Sequence, residues 1–407
     1  MQVETGGRLT VSTETKGLSP FLNGQKPDVF GRYDPKFQPV ADVFEHNLTQ
    51  RGAHGDVGAT CAVMVDGEMV VDLWGGYADV EHGKVWQDDT LCCCWSVSKT
   101  IGAVLTLRLI DQGVLDLDTP VAAYWPAFGA NGKDRILVRH LLDHTAGVSF
   151  VDATLKPGAA NDWGTMIAAL EQTSPNWEAG TQLGYLNQTQ GYLLGGLCFQ
   201  VNGRRRLAQF LREELAEPLS LDWHFEIPDD DLARLATVYQ IDASMFTRVI
   251  EKNPDSVFAK SMKGRDPAET YNSLRWRKAE NGAGTSHTNA RAMAKLYGAL
   301  SRGGALDNFT VLSESALQAA SKESIRETCA VNGIEMRFST GFEMNCPPVT
   351  PMGTSETAFG YIGAGGSFAF ADPELKLGFG YGHNLMHQGL GPGPCGLPLV
   401  EATLACA

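Results

Sequence analysis

Serine is a poor nucleophile at neutral pH unless a neighbouring group takes its proton. One stretch of this chain places such a neighbour a single helical turn away. Ser96-Val97-Ser98-Lys99 is the only Ser-x-x-Lys tetrad in the sequence, set where the small apolar run 91–95 gives way to a helical pattern. Residues three apart on a helix share a face, with Cβ atoms about 5–6 Å apart, so Lys99 can reach the Ser96 hydroxyl. The helix start adds free backbone N–H groups and the positive end of a dipole. Lysine serves as a base only when its pKa falls well below about 10.4. Burial or neighbouring cations achieve that.

Two further segments carry groups suited to the same chemistry. Tyr185-Leu186-Asn187 is the only Tyr-x-Asn in the chain and follows a stretch dense in turn residues. A tyrosine beside a lysine sheds its proton more easily, so Tyr185 is a candidate base toward Ser96 and acid toward a leaving group. The Asn187 amide suits orienting a lysine and a substrate carbonyl. The run Phe359-Gly360-Tyr361-Ile362-Gly363-Ala364-Gly365-Gly366-Ser367 opens a strand, and dense glycine there lets a ligand approach the backbone closely. The N–H groups of Ser96 and Ala364 would then form an oxyanion hole for an ester's tetrahedral intermediate.

The elements that must position these groups are legible in outline. Apolar spacing predicts an amphipathic helix over 38–51. Strands over 58–65 and 68–74 flank Asp66-Gly67, a hairpin signal because both central turn residues need positive φ. A helix over 97–112 is closed by Gly113, and another over 203–217 is stopped by Pro218. Ala292, Leu296 and Leu300 mark a helix over 288–302. Strands return at 336–344, 365–371 and 377–381, with Asp372-Pro373-Glu374 turning between the last two. A last helix spans 397–405, after a loop at 389–396. Residues 220–280 are polar and irregular. Strands at both ends with helices between imply an α+β fold: one antiparallel sheet assembled from the N- and C-terminal segments, flanked by helices, with a mainly helical insertion. The expected division is 1–95 with 280–407 as the sheet domain and 96–279 as the helical one, the site lying at their junction.

Composition excludes several classes. The chain has 407 residues, 43% hydrophobic and 20% charged, with net charge −14. That balance is globular and argues against nucleic acid or an anionic membrane as partner. Residues 1–16 are polar with no apolar core for a secretion leader, and no run is long enough to span a bilayer. Nine cysteines, odd in number and irregularly spaced, fit a reducing cytoplasm, with Cys92-Cys93-Cys94 read as small packing residues.

In this order and spacing, the three segments resemble the serine β-lactamase and penicillin-binding protein superfamily. The fuller match is to its esterase branch, the family VIII carboxylesterases. The resemblance extends from about residue 38 to the end, leaving 1–37 and 220–280 outside it. It takes in Arg139-His140-Leu141-Leu142-Asp143-His144-Thr145-Ala146-Gly147 and Asn281-Gly282-Ala283-Gly284-Thr285. It implies a β-lactamase-like fold and a serine hydrolase acting on small-molecule carboxylic esters. Ser96 would be acylated, Lys99 its activator and Tyr185 the principal base. Asn187 would assist, while Tyr361, Gly363 and Ala364 flank the scissile carbonyl. The third motif departs from the Lys-Thr-Gly pattern, reading Tyr361-Ile362-Gly363. The missing cation removes a partner for a β-lactam's carboxylate and favours neutral esters. A second departure is Ala179, where relatives often carry proline.

Acyl transfer or amide and β-lactam hydrolysis would use the same residues, whereas a non-enzymatic scaffold would not need them. No metal or organic cofactor is implied. His140 and His144, with Asp143 between them, have a zinc-like spacing of four, but a hydrolytic site wants a third ligand and a nearby base, and the resemblance gives that segment a structural role. His383 and His387 share the spacing and, following the last expected strand, are read as a pocket-rim loop. Trp163, Trp177, Trp223 and Trp276 are candidates to line an acyl pocket. The absence of Gly-x-Ser-x-Gly argues against an α/β-hydrolase.

Overall fold

The computed structural model describes residues 9–10, 27–50, 54–241, 245–266, 268–389 and 391–407. The polar stretch 1–16 therefore lies outside it, apart from a two-residue strand at Leu9–Thr10.

The sheet starts with Val29–Tyr33 (β1), followed by the helix Gln38–Thr49 (α1). Gly58–Val65 (β2) and Glu68–Asp79 (β3) then form the expected hairpin. Asp66 and Gly67 both have positive φ, 47° and 90°, as a two-residue turn of this hand requires. From the other end of the chain come Glu323–Thr328 (β4), Glu335–Ser339 (β5), Glu343–Met344 (β6), Phe359–Ile362 (β7), Phe368–Asp372 (β8) and Leu377–His383 (β9). They join in the order β4-β5-β6-β7-β8-β9-β2-β3-β1, and Lys84–Val85 pairs on β3 to complete ten strands. The two ends of the chain meet where β9 pairs antiparallel with β2, from Leu377 opposite Val65 to His383 opposite Ala59. This is the α+β arrangement expected from the sequence.

Between the two runs of strands lie Lys99–Asp111 (α2) and Thr189–Val201 (α3). Both are buried on nearly every side, which explains why neither shows a polar face. Ala290–Ser301 (α4) lies on one face of the sheet, and Gly393–Cys406 (α5) packs with α1 on the other. The alternation along β2 divides accordingly. Cys61 and Val63 join Phe44, Leu48, Leu399 and Val400, while Ala62 and Met64 join the larger core of α2, α3 and α4.

The departures from expectation have local causes. Helix 97–112 begins as a 3-10 turn, Trp95–Ser98, before α2. Helix 203–217 starts at Leu207, runs through a π turn at Arg212–Ala216 and passes Pro218 to end at Leu219. The wider turn accommodates a ring and a missing N–H that an α turn would reject. Residues 336–344 form two strands, because Gly341 (φ 116°) folds the chain back. The strand expected from 365 begins at Phe368, since Gly365 and Gly366 make the turn before it. The loop expected at 389–396 becomes helical at Gly393. Residues 220–280 carry only short elements, among them Met245–Lys252, Val257–Ser261 and Leu274–Arg277. Among the described residues no helix is long and apolar enough to cross a membrane.

Candidate active site

Ser96 sits in the 3-10 turn, and the residue before it is strained. Trp95 has φ 50°, a left-handed conformation that a bulky side chain adopts at a cost of about 1–3 kcal/mol. Its ring packs edge-on against Tyr271 at 4.5 Å and tilted against Trp276 at 5.7 Å. These contacts hold the bend that turns Ser96 into a cleft open to solvent. Behind the turn, Ser286 Oγ accepts the Trp223 indole N–H at 2.9 Å and donates to Ser98 Oγ at 2.8 Å. That network ties the nucleophile segment to the chain before α4.

Lys99 is buried, and its Nζ lies 3.4 Å from Ser96 Oγ. The same nitrogen donates to the backbone carbonyls of Asn187 and Ala283, each at 3.0 Å. A neutral amine has two N–H bonds and one lone pair. The two carbonyls take the N–H bonds, which leaves the lone pair facing Ser96. Burial pulls the Lys99 pKa down to about 7 against the opposing charge of Glu343, so the neutral form is accessible at neutral pH. The Ala283 carbonyl is aimed by the Asn281–Thr285 turn, in which Asn281 Oδ1 accepts the Ala283 N–H at 2.9 Å.

Tyr185 lies beside the same hydroxyl, which acts electrostatically on its phenol, and its ring lies 4.9 Å from Lys99 Nζ. Its surroundings do not favour phenolate. Burial and the charge of Glu343 push the phenol well above its usual range, so Tyr185 is protonated and available as a donor. The expected push from Lys99 toward phenolate is outweighed by burial and by the charge of Glu343. His144 fixes the loop, its Nδ1 accepting the Leu186 N–H at 3.0 Å and its ring lying 4.7 Å from that of Tyr185. Burial holds His144 neutral, and His140 Nδ1 accepts the Leu137 N–H, so this pair organises backbone.

The remaining predicted residues divide. Gly363 and Ala364 line the cleft. A Cβ on Gly363 would lie 2.6 Å from Cys94 O, so only glycine lets β7 close against the nucleophile turn. The N–H groups of Ser96 and Ala364 have no hydrogen-bond partner among the described residues. Asn187 lines the cleft too, but its carbonyl, rather than its amide, holds Lys99. The amide donates to Ser261 Oγ at 2.7 Å. Tyr361 does not flank the cleft: strand alternation turns it into the core, where its hydroxyl donates to Gly341 O at 3.0 Å, and Ile362 takes the wall instead. Of the four candidate tryptophans, Trp276 lines the cleft.

Three residues of the site had no sequence signal. Glu343, on β6, is buried at the cleft, and its pKa is pushed up to about 7. It accepts the Ile362 N–H at 3.4 Å and faces Lys99 electrostatically. Arg265 lies over Tyr271 (5.3 Å) and donates to its hydroxyl at 2.6 Å. Arg265 and Tyr271 come from the stretch that periodicity left unassigned. The nine cysteines are all free and buried. Burial pushes the Cys93 and Cys94 thiols up to about 12 and 11, as befits packing residues.

The sequence profile of the Beta-lactamase family matches residues 42–392. Esterase/beta-lactamase LipL of Mycobacterium tuberculosis is 31% identical over 366 residues, covering 88% of this chain and 83% of that protein. Among solved structures, a penicillin-binding protein homolog from Caulobacter crescentus superposes with a TM-score of 0.84 at 34% identity, covering 93% of this chain and 100% of its own. A family VIII carboxylesterase does so with a TM-score of 0.84 at 31% identity, covering 93% and 100%.

Proposed function

Because the chain belongs to the Beta-lactamase family, we propose that it is a serine hydrolase that cleaves small carboxylic esters through an acyl-enzyme on Ser96. The observation that carries this reading is the three-way hold on Lys99, with two backbone carbonyls and the Ser96 hydroxyl around one buried amine. In acylation the lone pair of Lys99 takes the Ser96 proton as Oγ attacks the ester carbonyl. The tetrahedral oxygen receives the N–H groups of Ser96 and Ala364, each donor worth about 2.7–4 kcal/mol in sites of this type. Tyr185 gives its proton to the departing alkoxide and recovers one by way of Lys99. Water then enters by the same route, its proton passing to the lysine and from there to Ser96 Oγ as the acyl bond breaks, so that the acid product leaves and the neutral amine is restored.

The cleft supports an ester in preference to a β-lactam. Its strand wall is Ile362, Gly363 and Ala364, with no cation to meet a ring carboxylate. Arg265 is the only lysine or arginine among the described residues lining the cleft, and it is engaged with Tyr271. Trp95, Tyr271 and Trp276 offer an apolar surface for an acyl or alcohol chain.

The test is Ser96→Ala. Turnover of a p-nitrophenyl acyl ester should be abolished while circular dichroism is unchanged, and a fluorophosphonate probe should add mass to Ser96 in the unaltered protein only. Full activity in the variant, or an adduct elsewhere, overturns the reading.

A further inference from the structure

Beneath the turn that carries Ala364, side chains from both ends of the chain meet in a space closed to solvent. Asp56 precedes β2, Tyr381 and His383 belong to β9, His387 follows the short strand Leu385–Met386, and Cys395 lies in the first turn of α5. All are buried. Asp56 Oδ2 accepts the Tyr381 hydroxyl at 2.7 Å. Its Oδ1 has no hydrogen-bond partner among the described residues, and neither has Nδ1 of His383 nor either ring nitrogen of His387. One unpaired buried polar atom ordinarily costs about 1–3 kcal/mol, and native interiors contain few. Four such atoms occur on these three residues, with His387 Nε2 and His383 Nδ1 3.4 and 3.5 Å from Asp56 Oδ1, and they call for something between them.

The spacing says what. Asp56 Oδ1 lies 3.4 Å from His387 Nε2, long for a hydrogen bond. Two ligands on a tetrahedral zinc, at metal distances of about 2.0–2.1 Å, are separated by about 3.3–3.4 Å. Ligand atoms of Asp56, His387 and Cys395 all lie within 4.8 Å of one another. We propose that Asp56, His387 and Cys395 bind a divalent transition metal, zinc by the character of the donors, in a structural site. His383, with Nδ1 3.5 Å from Asp56 Oδ1, is positioned to complete four-coordination. Carboxylate and thiolate together carry two negative charges, which a dication cancels, so the buried set is neutral. A sulfur–nitrogen–oxygen set disfavours magnesium and calcium, which take oxygen. The Tyr381 hydroxyl on Asp56 is the kind of outer hydrogen bond that orients a ligating carboxylate.

The sequence reading took His383 and His387 as a pocket-rim loop after the last strand and named no further ligands for them. The β2–β9 pairing and α5 bring those ligands from either end. The site also has something to hold. The His387 N–H donates to Gly365 O at 2.9 Å, and a Cβ on Gly366 would lie 3.2 Å from the His387 ring and 3.3 Å from His383. A bound ion would therefore fix the floor of the turn that presents Ala364.

The test is metal content and its consequences for stability. Protein produced with zinc in the medium and desalted should carry about one zinc per chain by mass spectrometry, and His387→Gln and Cys395→Ser should lose it. Refolded with Co²⁺, the unaltered protein should show a thiolate-to-cobalt charge-transfer band that Cys395→Ser lacks. Refolding with Zn²⁺ instead of a chelator should raise Tm in the unaltered protein and not in His387→Gln. If Cys395→Ser does not fold, His387→Gln alone decides. The proposal is overturned if the unaltered protein, refolded with Zn²⁺, holds no more metal than His387→Gln and gains no Tm.

Discussion

Exchanging Glu343 for glutamine removes a negative charge that acts on Lys99 and Tyr185 together. Glu343 raises the lysine's pKa against the larger effect of burial, so its loss lets the lysine fall below about 7. The reactive form is the neutral amine. In the unaltered enzyme kcat/KM should therefore decline as pH falls through about 7, and in Glu343→Gln this acid limb should move to lower pH. A pH profile on a neutral ester checks both. Tyr185→Phe separates acid from base. General acid catalysis contributes roughly 10²–10⁴-fold, and p-nitrophenolate departs without a proton. The variant should lose more rate on alkyl esters than on p-nitrophenyl esters, and an equal loss on both would remove Tyr185 as proton donor. Ser96 and Lys99 were legible because three residues along a helix fix a distance, and Tyr185 because its motif is unique in the chain. Glu343 was not, since a lone acidic residue in a strand announces nothing until the fold buries it.

Among the elements, the β7 edge and the nucleophile turn set the gap in which an oxyanion would sit. Gly363→Ala would put a methyl 2.6 Å from Cys94 O and 2.7 Å from Ser367 Oγ, forcing the strand off the turn. If the Ala364 N–H is a catalytic donor, kcat should fall about 10²–10³-fold with far-UV circular dichroism unchanged. A kcat within twofold of the unaltered enzyme would count against that role. The hairpin at Asp66-Gly67 and helix α4 were readable because local chemistry decides them, a turn that needs positive φ and an unbroken apolar repeat. The wall that supplies Arg265, Tyr271 and Trp276 was not. Its helices run from four to eight residues, too short for a period to show, and each is held by contacts distant in sequence. Tyr361 was misplaced for a related reason: its motif located the strand but not which face each residue takes.

At the scale of the whole molecule, the first helix and the last are packed together over one sheet face. Phe44 of α1 is fully buried in one apolar cluster with Leu399 and Val400 of α5. Phe44→Ala should cost about 3–5 kcal/mol, read as a lower denaturant midpoint, while KM stays unchanged because the cleft lies elsewhere. The β2–β9 joint carries a consequence for how the chain is made. On the ribosome the nucleophile emerges early, yet the strand that must flank β2 is encoded near the far terminus. Until that strand arrives, the nascent polypeptide carries an unsatisfied sheet edge beside an apolar helix, a template for aggregation that a holdase chaperone would have to shield. A message cut short before codon 377 would direct synthesis of the complete Ser-Lys pair in a product with no means of closing around it.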